Sequence, residues 1–292
     1  MLYDIALTIN YFYQQPSGMG RNLLRLMPRT LHGRQRLIAG QLATEPAPEE
    51  RREAVDFFGN AMLEVAFRTA HDTESFRLQA RVECFAASPV LDLSPPLVGL
   101  ADELGDVRDL GCNAPHHFLG DSGRVRVRPE MTAYARDHVR SGMTVLGLVQ
   151  SLGEALYRDM RFDAEATKVD TDPAEAFKRR HGVCQDFSQI MIAALRGLGV
   201  PAGYVSGFLR TTPPAGQPRL AGADAMHAWV RVWCGIETGW VEYDPTNAVM
   251  VASDHIVVAI GRDYDDVAPV KGVLRMTGRQ RTEHKVDVLP LD

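Results

Sequence analysis

The sequence contains no apolar run approaching the roughly 18 residues that a membrane-spanning helix needs, so no span is expected. Cysteine is scarce: Cys84, Cys112, Cys184 and Cys234 are the four in 292 residues. They are scattered, which does not suit the disulfide framework of a small secreted protein. No C-x-x-C or H-E-x-x-H spacing occurs, so no metal site is expected. A D-x-[DN]-x-[DN]-G loop is also missing, and nothing calls for calcium. There is no glycine-rich phosphate loop and no G-x-S-x-G elbow, which disfavours nucleotide binding and serine chemistry. No cofactor is implied. Charge of one sign is lacking too. The formal net charge is −5, which gives no reason to expect nucleic acid or an anionic membrane as a partner. The start, Met1-Leu2-Tyr3-Asp4-Ile5, shows neither a basic region nor a long apolar run. No signal peptide and a cytoplasmic location are therefore expected.

The composition that remains, 45% hydrophobic and 24% charged, is that of a globular chain with room for two domains. The first part alternates with a period of two. Tyr3, Ile5, Leu7 and Ile9 face one way; so do Leu63, Val65 and Phe67, and Leu78, Ala80, Val82 and Cys84. This predicts half-buried antiparallel strands. Turn residues at Asp56-Phe57-Phe58-Gly59-Asn60 and the absence of a strong helix pattern suggest a sandwich or barrel. Residues 88–127 are rich in Pro, Gly and Asp and read as connecting structure. The adjacent His116 and His117 lie there and read as a surface or partly buried pair.

Helical patterns follow. Pro129 is a plausible first-turn residue. Thr144 can cap a helix that carries Val145, Leu148, Val149, Leu152 and Leu156 on one face. Asp172-Pro173-Ala174-Glu175 reads as a cap with Pro at the first position. That helix should end near His181-Gly182, with Gly182 in a left-handed turn. Cys184 then opens a helix with Phe187, Ile190, Met191, Ala194, Leu195 and Leu198 on one buried face. Strands are expected over 204–209, 227–233, 240–243, 255–260 and, more weakly, 282–289. Residues 211–222, with their prolines and glycines, read as a mobile loop.

The chemistry concentrates in three places. A cysteine at a helix start has its thiolate favoured by free N–H groups and the helix dipole, and a thiolate is a nucleophile. His227 and Asp244 follow in the order nucleophile, base, orienter. Asp186 reads as a dipole-complementing cap, and Gln185 as a weaker candidate for an oxyanion donor. The backbone N–H of Cys184 would be one donor; no second is assigned. Trp229, Trp233 and Trp240 read as core or cleft wall.

Five stretches, Gly182-Val183-Cys184-Gln185-Asp186, Gly199-Val200-Pro201-Ala202, His227-Ala228-Trp229, Asp244-Pro245-Thr246 and Gly261-Arg262-Asp263-Tyr264, together resemble the transglutaminase-like branch of the papain-type cysteine enzymes in its bacterial form. Tyr11, Pro28-Arg29, Gln35 and Phe58-Gly59-Asn60 resemble the N-terminal domain that often precedes it. The resemblance implies an α+β fold. An antiparallel β-rich, sandwich-like domain (1–125) would precede a transglutaminase-like catalytic domain (126–292), in which the nucleophile helix packs on an antiparallel sheet. The final strands could join either part. It also implies a Cys184-His227-Asp244 triad acting on a protein, peptide or amide substrate through an acyl-enzyme. Hydrolysis is the leading expectation, because bacterial members of this group are mostly thought to be peptidases. Acyl transfer to an amine is the alternative, and a non-catalytic scaffold the reading from another class. The role of Arg262-Asp263-Tyr264, buried cluster or cleft lining, stays open at this level.

Overall fold

The computed structural model describes residues 1–86, 91–211, 224–274 and 278–291. The chain opens on strands β1 (Leu2–Ser17), β2 (Gly20–Leu24), β3 (Gln35–Glu45), β4 (Glu50–Val55), β5 (Ala61–Phe67) and β6 (His71–Cys84). Then come α1 (Leu100–Asp106), α2 (Pro129–Asp137), α3 (Val145–Asp159), β7 (Arg161–Phe162), α4 (Pro173–Arg179), β8 (His181–Gly182) and α5 (Cys184–Gly197). The chain continues through β9 (Ala202–Leu209), β10 (Ala225–Trp233), β11 (Trp240–Asp244), β12 (Val249–Met250) and β13 (His255–Gly261). It closes with α6 (Tyr264–Val267), β14 (Val270–Leu274) and β15 (Gln280–Leu291).

The fold is α+β, with mostly antiparallel sheets. One four-stranded sheet runs β15-β1-β6-β3 and a second runs β14-β2-β5-β4. Alternation in β1 buries Tyr3, Ile5, Leu7 and Ile9. These side chains share one core with Leu24, Leu63, Val65 and Phe67 from the second sheet. A buried hydrogen bond from Asn22 to Glu74 (2.9 Å) spans the two sheets. The strands that the alternation does not announce are β2, β3 and β4. The latter two are the outer strands of their sheets and leave most side chains in solvent, so their sequences carry little periodic signal.

The last two strands return to the beginning of the chain. β15 pairs with β1 from Leu2↔Leu291 to Tyr13↔Gln280, and β14 pairs with β2. Both sheets are therefore completed by residues more than 200 positions away.

A five-stranded sheet runs β12-β11-β10-β9-β13. Helix α5 packs against β9 and β10 on one side and meets α2, α3 and α4 on the other. One buried face is what its spacing predicts. Instead every residue from Gln185 to Arg196 is buried, because helices cover the side away from the sheet. Arg196 shows the consequence. It is 4% exposed and donates to the carbonyls of Ala202, Gly120 and Arg262 and to Ser122. Burial lowers its pKa to about 10, so it stays charged at neutral pH.

Residues 100–106, within the stretch read as connecting structure, form α1. Leu100 and Leu104, one turn apart, are buried, and Asp102 and Glu103 sit in the first turn, where the helix dipole favours them. His116 and His117 are half-buried and hydrogen-bond the carbonyls of Val107 and Leu110. Among the described residues no helix is long and apolar enough to cross a membrane. The four cysteines are free. Of the expected loop at 211–222, only Thr211 falls within the described residues.

Candidate functional site

Three local devices deliver Cys184. Asp172 caps α4 by accepting from Ala174 N–H (2.8 Å), with Pro173 in the first turn. The chain reverses at Arg180, whose φ of 59° is left-handed. The turn falls there and not at Gly182. Gly182 is extended, paired in β8 with Phe162. A glycine is needed for another reason: a Cβ there would lie 2.7 Å from Asp186 Cβ and Oδ2. Asp186 folds back over it to cap α5, accepting from Val183 N–H (2.8 Å) and Thr167 Oγ1 (2.5 Å). Val183 has no side-chain acceptor, so the cap is carried by Asp186 alone. Burial raises its pKa despite those two donors.

Cys184 is the first residue of α5 and half-buried. His227, on β10 opposite Gly207 of β9, is 9% exposed. Its Nε2 lies 2.7 Å from Asp244 Oδ2, and it borders the same cleft as Cys184, whose side chain acts on the ring. With Nε2 directed at the carboxylate, Nδ1 is the nitrogen left for sulfur. Burial alone would lower the His227 pKa, but Asp244 and Cys184 outweigh it and raise the pKa to about 10. The three residues singled out from sequence thus come together.

Asp244 ends β11 and is fully buried. Besides His227 it accepts from Thr246 N–H (2.9 Å), Asn247 N–H (3.3 Å), Asn247 Nδ2 (2.7 Å) and His255 Nε2 (3.2 Å). Burial opposes its charge, yet this set of donors holds its pKa far below the usual carboxylate range. His255 and Asn247 were not singled out from sequence. Asn247 follows an Asp-Pro turn by two residues, which was a usable signal; His255 opens β13 and meets Asp244 only through tertiary pairing. The imidazoles of His227 and His255 and the Asp244 carboxylate, with donor atoms within 4.8 Å of one another, could also hold a divalent ion. Their existing hydrogen bonds satisfy the carboxylate and His227 without one.

Other expected residues fall differently. Gln185 lines the site, and one of its two Nε2 hydrogens goes to the Val169 carbonyl (2.9 Å). Trp229 is fully buried and donates to Glu242; none of the three tryptophans lines the cleft at Cys184. Arg262 pairs with Asp266 (2.8 Å), and buried Asp263 accepts from the backbones of Arg124 and Val125. Tyr264 alone of that stretch reaches the cleft.

That cleft has a volume of about 580 Å³. Cys184, Tyr204, Ser206 and His227 line it. Tyr11 of β1, Val270 of β14, and His284 and Val286 of β15 line it as well.

Comparison with known proteins agrees with this architecture. Residues 132–245 match the transglutaminase-like superfamily, and residues 3–83 match the bacterial transglutaminase-like N-terminal region. The chain belongs to the transglutaminase-like superfamily. An uncharacterized protein of Mycobacterium tuberculosis is 32% identical across 99% of this chain and 93% of its own length. One from Mycobacterium leprae is 28% identical across 95% and 94%. Among solved structures, a candidate cysteine protease from Cytophaga hutchinsonii aligns over 100% of this chain and 92% of its own. The TM-score is 0.69 and the identity 19%, so the likeness speaks to the fold.

Proposed function

We propose that this transglutaminase-like protein is a thiol-dependent amide or peptide hydrolase using Cys184, His227 and Asp244. The observation that carries the reading is that Cys184 and His227 border one cleft while His227 Nε2 lies 2.7 Å from the buried Asp244 carboxylate. The description of the Cytophaga protein as a candidate cysteine protease agrees with it. The four free cysteines support a reducing, cytoplasmic setting.

In this mechanism the Cys184 thiolate attacks the amide carbonyl carbon, and the C=O electrons move onto oxygen. The Cys184 backbone N–H has no partner within α5 because it lies in the first turn, and it faces that oxygen. Imidazolium His227 gives its proton to the departing amine as the C–N bond breaks. The resulting thioester is cleaved by water, with neutral His227 taking the proton. Asp244 holds the ring and stabilises its cation.

The test is alkylation of Cys184 by iodoacetamide as a function of pH, mapped by mass spectrometry. Cys184 should react well below the pH at which an ordinary thiol, pKa about 8.5, becomes nucleophilic. His227→Ala should remove that low-pH reactivity. Equal reactivity of Cys184, Cys84 and Cys112, unchanged by the substitution, would sink the proposal. Hydrolysis is then separated from acyl transfer by product: release of a free acid without added amine, against faster incorporation of an added primary amine.

A further inference from the structure

The cleft at Cys184 is bordered by strands from the two β-sheets of the chain's opening part, completed by its last residues. Tyr11 comes from β1, Val270 from β14, and His284 and Val286 from β15. The chemistry of that lining is uniform. Among the described lining residues the one carboxylate is Asp224, which is 5% exposed. Asp224 accepts from Thr211 N–H and Oγ1 and from Val288 N–H, so it does not face a ligand as a free charge. No lysine or arginine lines the cleft among the described residues. His284 is an exposed residue of β15, and the partial covering of its ring acts to lower its pKa. Burial likewise raises the phenols of Tyr11, Tyr204 and Tyr264. Val270 and Tyr11 are half-buried and present apolar surface that a ligand can cover.

The backbone adds a second feature. β15 is the outer strand of its sheet. Val288 N–H points away from β1, to Asp224 Oδ2 (2.6 Å), and Val286 bridges to Asp224 on the same side. In an antiparallel ladder alternate residues share an orientation. His284 and Thr282 therefore turn their N–H and C=O outward as well, and His284 borders the cleft. Asp224 occupies that edge at Val286 and Val288, so what is left for pairing with an extended peptide among the described residues is the stretch at Thr282 and His284.

We propose that the acyl half of the substrate is an extended polypeptide lying along the outer edge of β15 at Thr282 and His284, with an apolar side chain next to the scissile carbonyl packed on Tyr11 and Val270. This rests on the thiol acyl chemistry proposed above and assigns the β-sheets of the first part a role in substrate choice. A free charge placed on that wall would lose its water without gaining a partner.

The test uses tripeptidyl chloromethyl ketones, Ala-Ala-Xaa, with Xaa Leu, Glu or Lys. Cys184 sulfur displaces chloride, so a C–S bond forms as C–Cl breaks, and no turnover is needed. The Leu probe should label Cys184 at least about tenfold faster than the Glu and Lys probes, the scale of discrimination an apolar pocket supplies. In Val270→Glu the Lys probe should become the fastest, while an unchanged Tm and circular dichroism spectrum report an intact fold. Equal labelling by the three probes in the wild type overturns the proposal, as does a preference that Val270→Glu leaves unchanged. Selective labelling with neither hydrolysis nor amine incorporation of the matching peptide amides keeps the wall and refutes the reaction.

Discussion

At the scale of single residues, the site is an electrostatic unit built around one buried carboxylate. Asp244 is held ionised by its donors, and His227 is held protonated by Asp244 and Cys184. Asp244→Asn removes the charge that raises His227, so the alkaline limb of kcat/KM, expected near pH 10, should move to lower pH. The rate at neutral pH should fall on the order of 10²- to 10⁴-fold. A limb that stays in place would separate Asp244 from the base. The stability effect has a defined pH window. The Asp244 pKa is lowered on folding, so its contribution is present above its ordinary 3.8 and lost below it. The His227 pKa is raised, so its contribution is complete below 6.5 and disappears as pH climbs towards about 10. The stability gap between wild type and Asp244→Asn in urea titrations should therefore be widest between pH 4 and 6.5 and narrow on both sides. His227, Asp244 and Cys184 were legible in the sequence because residue type and order carry the chemistry. His255 was not, since its contact with Asp244 depends on where β13 lies.

At the scale of elements, the approach to α5 depends on a glycine for contact rather than for backbone freedom. Gly182→Ala should drive a Cβ into Asp186, with 2.7 Å to both Cβ and Oδ2. The Asp186 bond to Val183 would loosen, and the overpacking should cost roughly 1–3 kcal/mol. Tm should fall by about 2–4 °C per kcal/mol, and low-pH alkylation of Cys184 should slow, because the helix start that positions the sulfur shifts. A variant with wild-type Tm and reactivity would show that Asp186 can move at no cost. Composition marks Gly182 as a turn residue. Only the backbone shows that Arg180 takes the positive φ and that Gly182 makes room for a side chain.

At the scale of the molecule, the two parts are joined by charge as well as by pairing. Arg34, just before β3, forms a bidentate pair with Glu242 of β11 at 2.5 and 2.6 Å, and Glu242 also accepts from Trp229. Glu242 is 8% exposed, whereas the Arg34 side chain is 37% exposed. Arg34→Ala should cost roughly 2 kcal/mol, below the 3–5 of a fully buried pair because solvent screens Arg34. Burial acts to raise the Glu242 pKa, but Arg34 and the other donors lower it overall. The stabilisation is thus present above its ordinary 4.5 and lost on acidification. The difference in urea midpoint between wild type and Arg34→Ala should hold from pH 7 to the ordinary Glu242 value of 4.5 and shrink on further acidification. A gap independent of pH would mean that Arg34 acts through packing alone. Removing residues 278–291 is a larger lesion. It strips β1 of its β15 partner and exposes a long strand edge, so the truncated chain should melt earlier and aggregate in light-scattering measurements.

The sequence by itself determined the period-two strands of β1, β5 and β6, the caps at Thr144 and Asp172, the helix that begins at Cys184, and the identity of the three residues that meet at its start. Those features are local: they follow from side-chain alternation, hydrogen-bonding groups next to their targets, and residue chemistry. The tertiary structure decided the rest. It placed β14 and β15 on the opening sheets, buried α5 on all sides, tied the Gln185 amide to the Val169 carbonyl, brought His255 to Asp244, and set Tyr11, Val270 and His284 in one cleft with Cys184. Each of these is a pairing between positions far apart in the chain or a choice among alternative packings. No local pattern encodes such a choice; the shared burial of distant apolar faces makes it.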